Sequence, residues 1–188
     1  MTNDRDIEEL RSILERVDTQ TSYCDNKIVA ALGCLGVMIG IFLATDFIGK
    51  VLVVITYFIE SISILHIIWL LLAGLSIVAI ILGAFSLLNA LLGRIDPKVY
   101  ENTGVEINSL VFWGSIASYS SYKDYSKKIE RVDENGLKND YISQIFICSK
   151  ICQLKYMYYN NGLMQTSIGI VAYSILMLIG VFMKKYGL

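Results

Sequence analysis

Polar and apolar residues are sorted into long blocks along this chain. Three blocks carry no formal charge over a length that can cross a bilayer: residues 28–45, 61–92 and 162–183. A crossing helix needs about 20 apolar residues, so the first block is near the lower limit. The second is longer than a bilayer requires and must tilt or protrude. Between them, Asp46, Lys50 and Glu60 bracket VLVVITYFI, a run too short to span. It reads as an interfacial or partly re-entrant segment on the far side, in which Asp46 and Lys50 can pair if it is helical. The alternative is a separate span over residues 47–68, which buries the Glu60 carboxylate at a cost of several kcal/mol.

The charged blocks carry helical patterns. Residues 3–26 read as a helix capped by Asn3 or Asp4, with Asp6, Glu8 and Glu9 where the helix dipole favours acids. Ile7, Leu10, Leu14, Val17, Thr21 and Cys24 follow 3-4 spacing, and the stripe continues through Ile28, Ala31 and Leu35. Such a seam packs within the same protomer or against a second one. Gly33, Gly36 and Gly40 place small residues at a spacing that lets membrane helices approach closely. The second span stops at residues 93–97, where glycine suits a C-cap and Pro97 cannot continue the ladder.

After that stop come an aromatic patch, residues 107–116, and a stretch rich in tyrosine and serine, residues 117–129. The pattern suits either stacking of a base with a phosphate held nearby or an amphipathic helix against its neighbours. Asp133 to Gly136 reads as a turn. Residues 137–183 then form an amphipathic helix, with Ile142, Ile145, Phe146, Ile151 and Leu154 on its apolar face, that passes into the third span. Asn160-Asn161-Gly162 marks a possible hinge where the polar half meets the membrane half. The fold class is therefore an all-α membrane protein with about three transmembrane helices. Its helical cytoplasmic domain comes from the N-terminal helix and the loop between spans two and three. The boundaries fall at 1–27, 28–92, 93–161 and 162–183.

Charge sets the orientation. Residues 94–159 hold nine of the sixteen basic residues and the N-terminal segment four more, against Lys50 alone between the first two spans. The positive-inside rule puts both polar blocks, and the N-terminus, in the cytoplasm. A net charge of −1 gives no bulk field for nucleic acid. The charged first residues do not resemble a cleavable signal peptide. Cys24, Cys34, Cys148 and Cys152 read as structural thiols, since His66 lies in another segment and no second pair completes a metal site. His66 itself suits an interfacial position near Trp69 or a proton role. No phosphate-binding glycine loop, nucleophile elbow or zinc-helix motif occurs, so the chain is expected not to be an enzyme.

Read in order, several landmarks resemble the transmembrane effectors of the bacterial Pycsar antiphage system, the PycTM family. An Asp-x-Lys step, Asp25-Asn26-Lys27, stands just before the first span, and Pro97 follows the second. Then come the aromatic patch Val111-Phe-Trp-Gly-Ser-Ile and the tyrosines from Tyr122 to Tyr125. Last is a helix with Asn139-Asp140, Gln144-Ile145, Ser149, Ile151 and Lys155-Tyr156. One departure is Ile28, where the family pattern has a small residue after Asp-x-Lys.

The resemblance implies that a partner cyclase makes cyclic CMP or cyclic UMP, which the effector senses before impairing the inner membrane in an abortive infection. It implies the cell inner membrane as location, lipid as partner, a homo-oligomer, and no cofactor, metal or nucleic acid. The candidate ligand residues are Asp25, Lys27, Trp113, Tyr119, Tyr122, Asp140, Gln144, Lys150 and Lys155, with Arg94 a further cation. The cations suit the phosphate, the aromatic rings suit stacking, and Asp140 or Gln144 suits a pyrimidine edge. Two other classes fit the same pattern. One is a nucleotide-independent pore former or toxin, the other a membrane scaffold that binds a protein through the N-terminal seam.

Overall fold

The computed structural model describes residues 6–92, 104–106 and 108–187. Asn3, Asp4, the stop at residues 93–97 with Arg94 and Pro97, and residue 107 lie outside them. Among the described residues six helices follow in chain order: α1 (Ile7–Ala44), α2 (Phe47–Glu60), α3 (Ile64–Leu92), α4 (Trp113–Ala117), α5 (Tyr122–Arg131) and α6 (Glu134–Tyr186). No strand occurs among the described residues. Of these helices α1, α3 and α6 are long and apolar enough to cross a membrane. The all-α membrane architecture read from the sequence is therefore the one observed.

The chain divides into two compact units. Unit 1 comprises Met1–Cys24 and Gly93–Lys155, and unit 2 comprises Asp25–Leu92 and Tyr156–Leu188. Both α1 and α6 contribute to each.

In unit 2, α3 and α6 run antiparallel and touch through small residues. A Cβ added at Gly169 would lie 2.8 Å from the Ser76 carbonyl oxygen, and one at Gly180 would lie 2.8 Å from Trp69 Cζ2. The same closeness recurs between Gly83 and Gly162. Lipid tails are as apolar as leucine, so contact of this kind replaces the hydrophobic effect as the force joining helices. The Trp69 indole N–H donates to the Leu176 carbonyl at 2.7 Å, satisfying its one polar atom inside the pair.

Packed on the Trp69 end of this pair is α2. Val54, Phe58, Trp69, Ala73 and Met177 form the buried cluster there. The helix ends at Glu60 and α3 begins at Ile64, so residues 47–68 are not one span. Ser63 Oγ accepts from Leu65 N at 3.2 Å and starts the new helix. His66 is 2% exposed; its ring stacks on Phe58 at 4.3 Å, and its Nδ1 lies 2.6 Å from the Ser61 carbonyl oxygen. It is therefore a buried residue of the α2–α3 corner. The side chains of Asp46 and Lys50 make no ion pair among the described residues.

The glycines singled out from the sequence behave differently. A Cβ at Gly33, Gly36 or Gly40 meets nothing within 4 Å. In its span α1 has 6% of residues buried inside the chain, against 22% for α3 and for α6. The close helix contacts lie elsewhere because their residues are spread over two distant segments.

Within the chain the N-terminal seam is partly covered. Leu10 is 4% exposed and Leu14 half-buried, and Cys24 and Ile28 close the stripe with no exposure where α1 passes into unit 2. The carbonyl of Asp6 accepts from Glu9 and Leu10 N at the helix start. Asp133 to Gly136 is the start of α6, which corrects the turn expected there: Asp133 Oδ1 accepts from Gly136 N at 2.9 Å, an N-cap. Lys138 pairs with Glu134 at 2.8 Å one turn in. Residues 160–162 are helical within α6, and Gly162 is buried, so the expected hinge is a helix-packing contact. Of the four free thiols only Cys24 is buried; Cys34 is exposed and Cys148 and Cys152 are half-buried.

Candidate functional site

Among the described residues of unit 1 lie two cavities to which segment 108–120 contributes. It is pinned to α6 by side chains that reach out of the helix. Asp140 Oδ2 accepts from Leu110 N at 2.6 Å, and Ser143 Oγ accepts from Glu106 N at 3.0 Å. Within the segment, Ser109 Oγ accepts from the amides of Val111 and Phe112 at 3.1 and 3.0 Å. The Tyr125 hydroxyl of α5 donates to the Leu110 carbonyl at 3.0 Å. The stretch from Ser109 to Phe112, whose backbone groups are taken up in this way, is held in place just ahead of α4.

The first cavity, about 340 Å³, is lined by Leu14 and Asp18 of α1, Val111, Phe112 and Trp113, and Gln144 and Cys148 of α6. Leu14 and Asp18 are one turn apart on their helix, as are Gln144 and Cys148 on theirs, so each helix offers one face. Gln144 is only 4% exposed, and its side chain lines the cavity. An amide there can donate from nitrogen and accept at oxygen toward whatever enters. Phe112 and Trp113 have ring centroids 5.6 Å apart, and Trp113 is 76% exposed, leaving an aromatic face for an incoming ring. Burial, helped by the Asp18 carboxylate, pushes the Cys148 thiol up to about 11, which leaves it protonated at neutral pH and unsuited to act as a nucleophile.

The second cavity, about 400 Å³, is lined by Asn108, Ser115, Ser118, Tyr119, Ser120 and Lys128. Its hydroxyls and the Lys128 ammonium suit an anionic, oxygen-rich group. Lys128 is presented by the last turn of α5, whose Ser121 cap accepts from Asp124 N at 3.2 Å and donates to Asp124 Oδ2 at 2.7 Å. Among the described residues no group of three or more His, Cys, Asp or Glu is placed to hold a metal ion.

The Pycsar effector protein domain matches residues 9–182 of this chain, nearly its whole length. The chain belongs to the PycTM family. A curated relative, the Pycsar effector protein GmPycTM of Gulbenkiania mobilis, is 29% identical over 163 residues, covering 82% of this chain and 83% of the relative. No solved structure matches the chain. Membership makes this PycTM protein an antiphage defence effector, in a family that is not an enzyme family by name.

The structure gathers some of the residues singled out from the PycTM resemblance and scatters the rest. Trp113 and Gln144 meet in the first cavity, and Tyr119 lines the second. Asp140 is 3% exposed and holds the loop, lining neither cavity. Its other oxygen, Oδ1, is buried with no hydrogen-bond partner among the described residues. Tyr122 is 84% exposed on α5. Lys150 is exposed, with its ammonium 5.7 Å from the Phe146 ring centroid, while Lys155 is buried at 8% exposure. Asp25 and Lys27 belong to unit 2, where Asp25 is half-buried and Lys27 is exposed with its ammonium 5.7 Å from the Tyr156 ring.

Sequence reasoning missed Asp18, Phe112 and Lys128 as lining residues. Asp18 carried a signal: it lies four residues after the seam residue Leu14, at the edge of the buried stripe. A carboxylate there is one turn from apolar packing and therefore faces whatever the stripe packs against.

Proposed function

We propose that this PycTM protein senses a cyclic pyrimidine mononucleotide, cCMP or cUMP, through unit 1 and then impairs the bacterial inner membrane. The nucleotide comes from a partner pyrimidine cyclase, and the outcome is abortive infection. The N-terminus and unit 1 lie in the cytoplasm, residues 28–92 and 162–183 supply the spans, and the active form is a homo-oligomer. The observation that carries the reading is the first cavity, where the Gln144 side chain lines the wall beside the exposed aromatic face of Trp113. Its volume falls within the range of small-molecule sites, roughly 300–1,000 Å³. The second cavity offers the ammonium and hydroxyls that a cyclic phosphodiester needs.

Binding acts on the membrane only if the nucleotide favours one of two states of the protein. Isothermal titration of the full chain in detergent with cCMP and with cUMP tests sensing. Heat from at least one of them, lost in Gln144→Ala, is expected; no heat from either with the folded protein would sink the claim. Dye release from liposomes carrying the protein, with and without the nucleotide, tests the membrane step. Leakage that is the same in both conditions points to a nucleotide-independent pore former.

A further inference from the structure

The first cavity carries more information than its size, because its two polar groups differ in kind. Asp18 supplies a carboxylate, which only accepts hydrogen bonds when ionised, and Gln144 supplies an amide, which donates from nitrogen and accepts at oxygen. Cys148 stands beside Asp18 as a neutral thiol, so it adds no second charge. Among the described residues no cationic side chain lines the cavity. Asp18 brings a negative group to its wall, and a ligand group placed against it is best a hydrogen-bond donor.

The two pyrimidines meet that demand differently. Cytosine presents an exocyclic amino group, N4, with two N–H donors, next to the ring acceptor N3. Uracil has a carbonyl oxygen at position 4 instead. Its single ring N–H lies between two carbonyl oxygens, so turning that donor toward a carboxylate also brings acceptor lone pairs against it. Cytosine places its amino group on Asp18 while N3 or O2 accepts from the Gln144 amide, and both protein groups are then satisfied. Uracil can reach both groups through N3–H and a carbonyl oxygen, but only with its second carbonyl brought against the Asp18 carboxylate, a repulsion that the cytosine amino group avoids. The aromatic face of Phe112 and Trp113 stacks with either ring and does not discriminate.

We infer that the Asp18–Gln144 pair makes this cavity a cytosine-selective subsite, so that the activating ligand is the cytosine cyclic nucleotide and not the uracil one. This rests on the proposal that unit 1 senses a cyclic pyrimidine nucleotide. A well-placed pair of this type discriminates bases by roughly fivefold to a hundredfold. Asp18 is exposed to water, which sets the expected preference near the lower part of that range, about tenfold.

The test is isothermal titration of the full chain in detergent with cCMP and cUMP, for the native protein and for Asp18→Asn, with circular dichroism to verify the fold of each. The native protein is expected to bind cCMP about tenfold more tightly than cUMP. Asp18→Asn, which replaces an obligate acceptor by a group that also donates, is expected to bring the two within about threefold. A native protein that binds cUMP as tightly as cCMP, or more tightly, overturns the cytosine selectivity while leaving nucleotide sensing standing. So does a cCMP preference that survives unchanged in Asp18→Asn. Absence of binding to either nucleotide overturns the sensing proposal itself.

Discussion

Gly83 and Gly162 face each other so closely that neither has room for a side chain. A Cβ on Gly162 would lie 2.9 Å from the Gly83 carbonyl oxygen, and a Cβ on Gly83 would lie 2.8 Å from the Gly162 carbonyl oxygen. Leu87 Cγ closes the same space at 2.9 Å from the Gly162 position. Backbone cannot yield as a flexible side chain can, so Gly162→Val must push α3 and α6 apart. It is expected to destabilise unit 2 by about 1–3 kcal/mol. Gly33→Ala, Gly36→Ala and Gly40→Ala, which meet open space, are expected to change stability by less than about 0.5 kcal/mol each. Denaturant titration in detergent micelles, followed by tryptophan fluorescence, separates the two groups, since Trp69 lies in the α3–α6 contact.

Asp140 holds the loop that forms one wall of the first cavity. Asp140→Ala leaves the amide of Leu110 without its acceptor, at a cost of about 1–3 kcal/mol. Faster amide exchange at residues 108–113 is expected, with helices α1 and α6 unaffected. Asp140→Asn keeps an acceptor oxygen and is expected to retain most of the protection. Hydrogen exchange with mass spectrometry reads both variants; equal exchange in native protein and Asp140→Ala would mean that the loop is held by its other contacts.

Cys148 offers a pH test. Burial comes first among the causes that raise its thiol to about 11, and Asp18 comes second. A free cysteine titrates at about 8.5, so at pH 8 the thiolate fraction at Cys148 is on the order of a hundredfold lower. In a protein whose other three cysteines are alanine, maleimide labelling is expected to be slow at pH 8 and to climb steadily toward pH 11. Asp18→Asn removes a repelling negative charge, lowers the thiol's pKa and is expected to speed labelling at pH 8. The sign of the stability effect follows. The folded-state value lies above the unfolded one, so stability is intact below about 8.5 and declines as pH rises toward 11.

The α5 helix is short, and its start depends on Ser121. Ser121→Ala removes the acceptor for Asp124 N and is expected to cost about 1 kcal/mol of local stability. Amide exchange across Tyr122–Arg131 is expected to rise. Ser121→Asp, which restores an acceptor at the cap, is expected to recover most of the protection.

The spans were legible because each is marked locally: an uncharged run reports burial in lipid whatever it packs against. The seam through Leu10, Leu14, Cys24 and Ile28 was legible for a similar reason, since 3-4 spacing fixes a face before its partner is known. The glycine contacts were not. Gly33, Gly36 and Gly40 form the compact pattern that the eye selects, whereas Gly83 on α3 meets Gly162 on α6, 79 residues along the chain. A helix interface is a property of two segments, and neither carries it alone. Asp133 to Gly136 misled because Asp, Asn and Gly serve both turns and helix starts. The cavity was half-visible. Trp113 and Gln144 stand out by chemistry, but Asp18 looks like any surface acid until the loop from Ser109 to Trp113 is placed across it.

The helices of unit 2 also disagree about how thick a membrane should be. The apolar part of α1, residues 28–44, rises about 25 Å, while the 29 residues of α3 rise about 43 Å. Hydrocarbon is about 30 Å deep, so a single flat bilayer matches neither helix. Mismatch costs a fraction of a kcal/mol for each ångström. A short span is met by thinner lipid, snorkelling flanks or association, and a long one by tilt or thicker lipid. The two helices therefore set opposite demands on whatever bilayer they share.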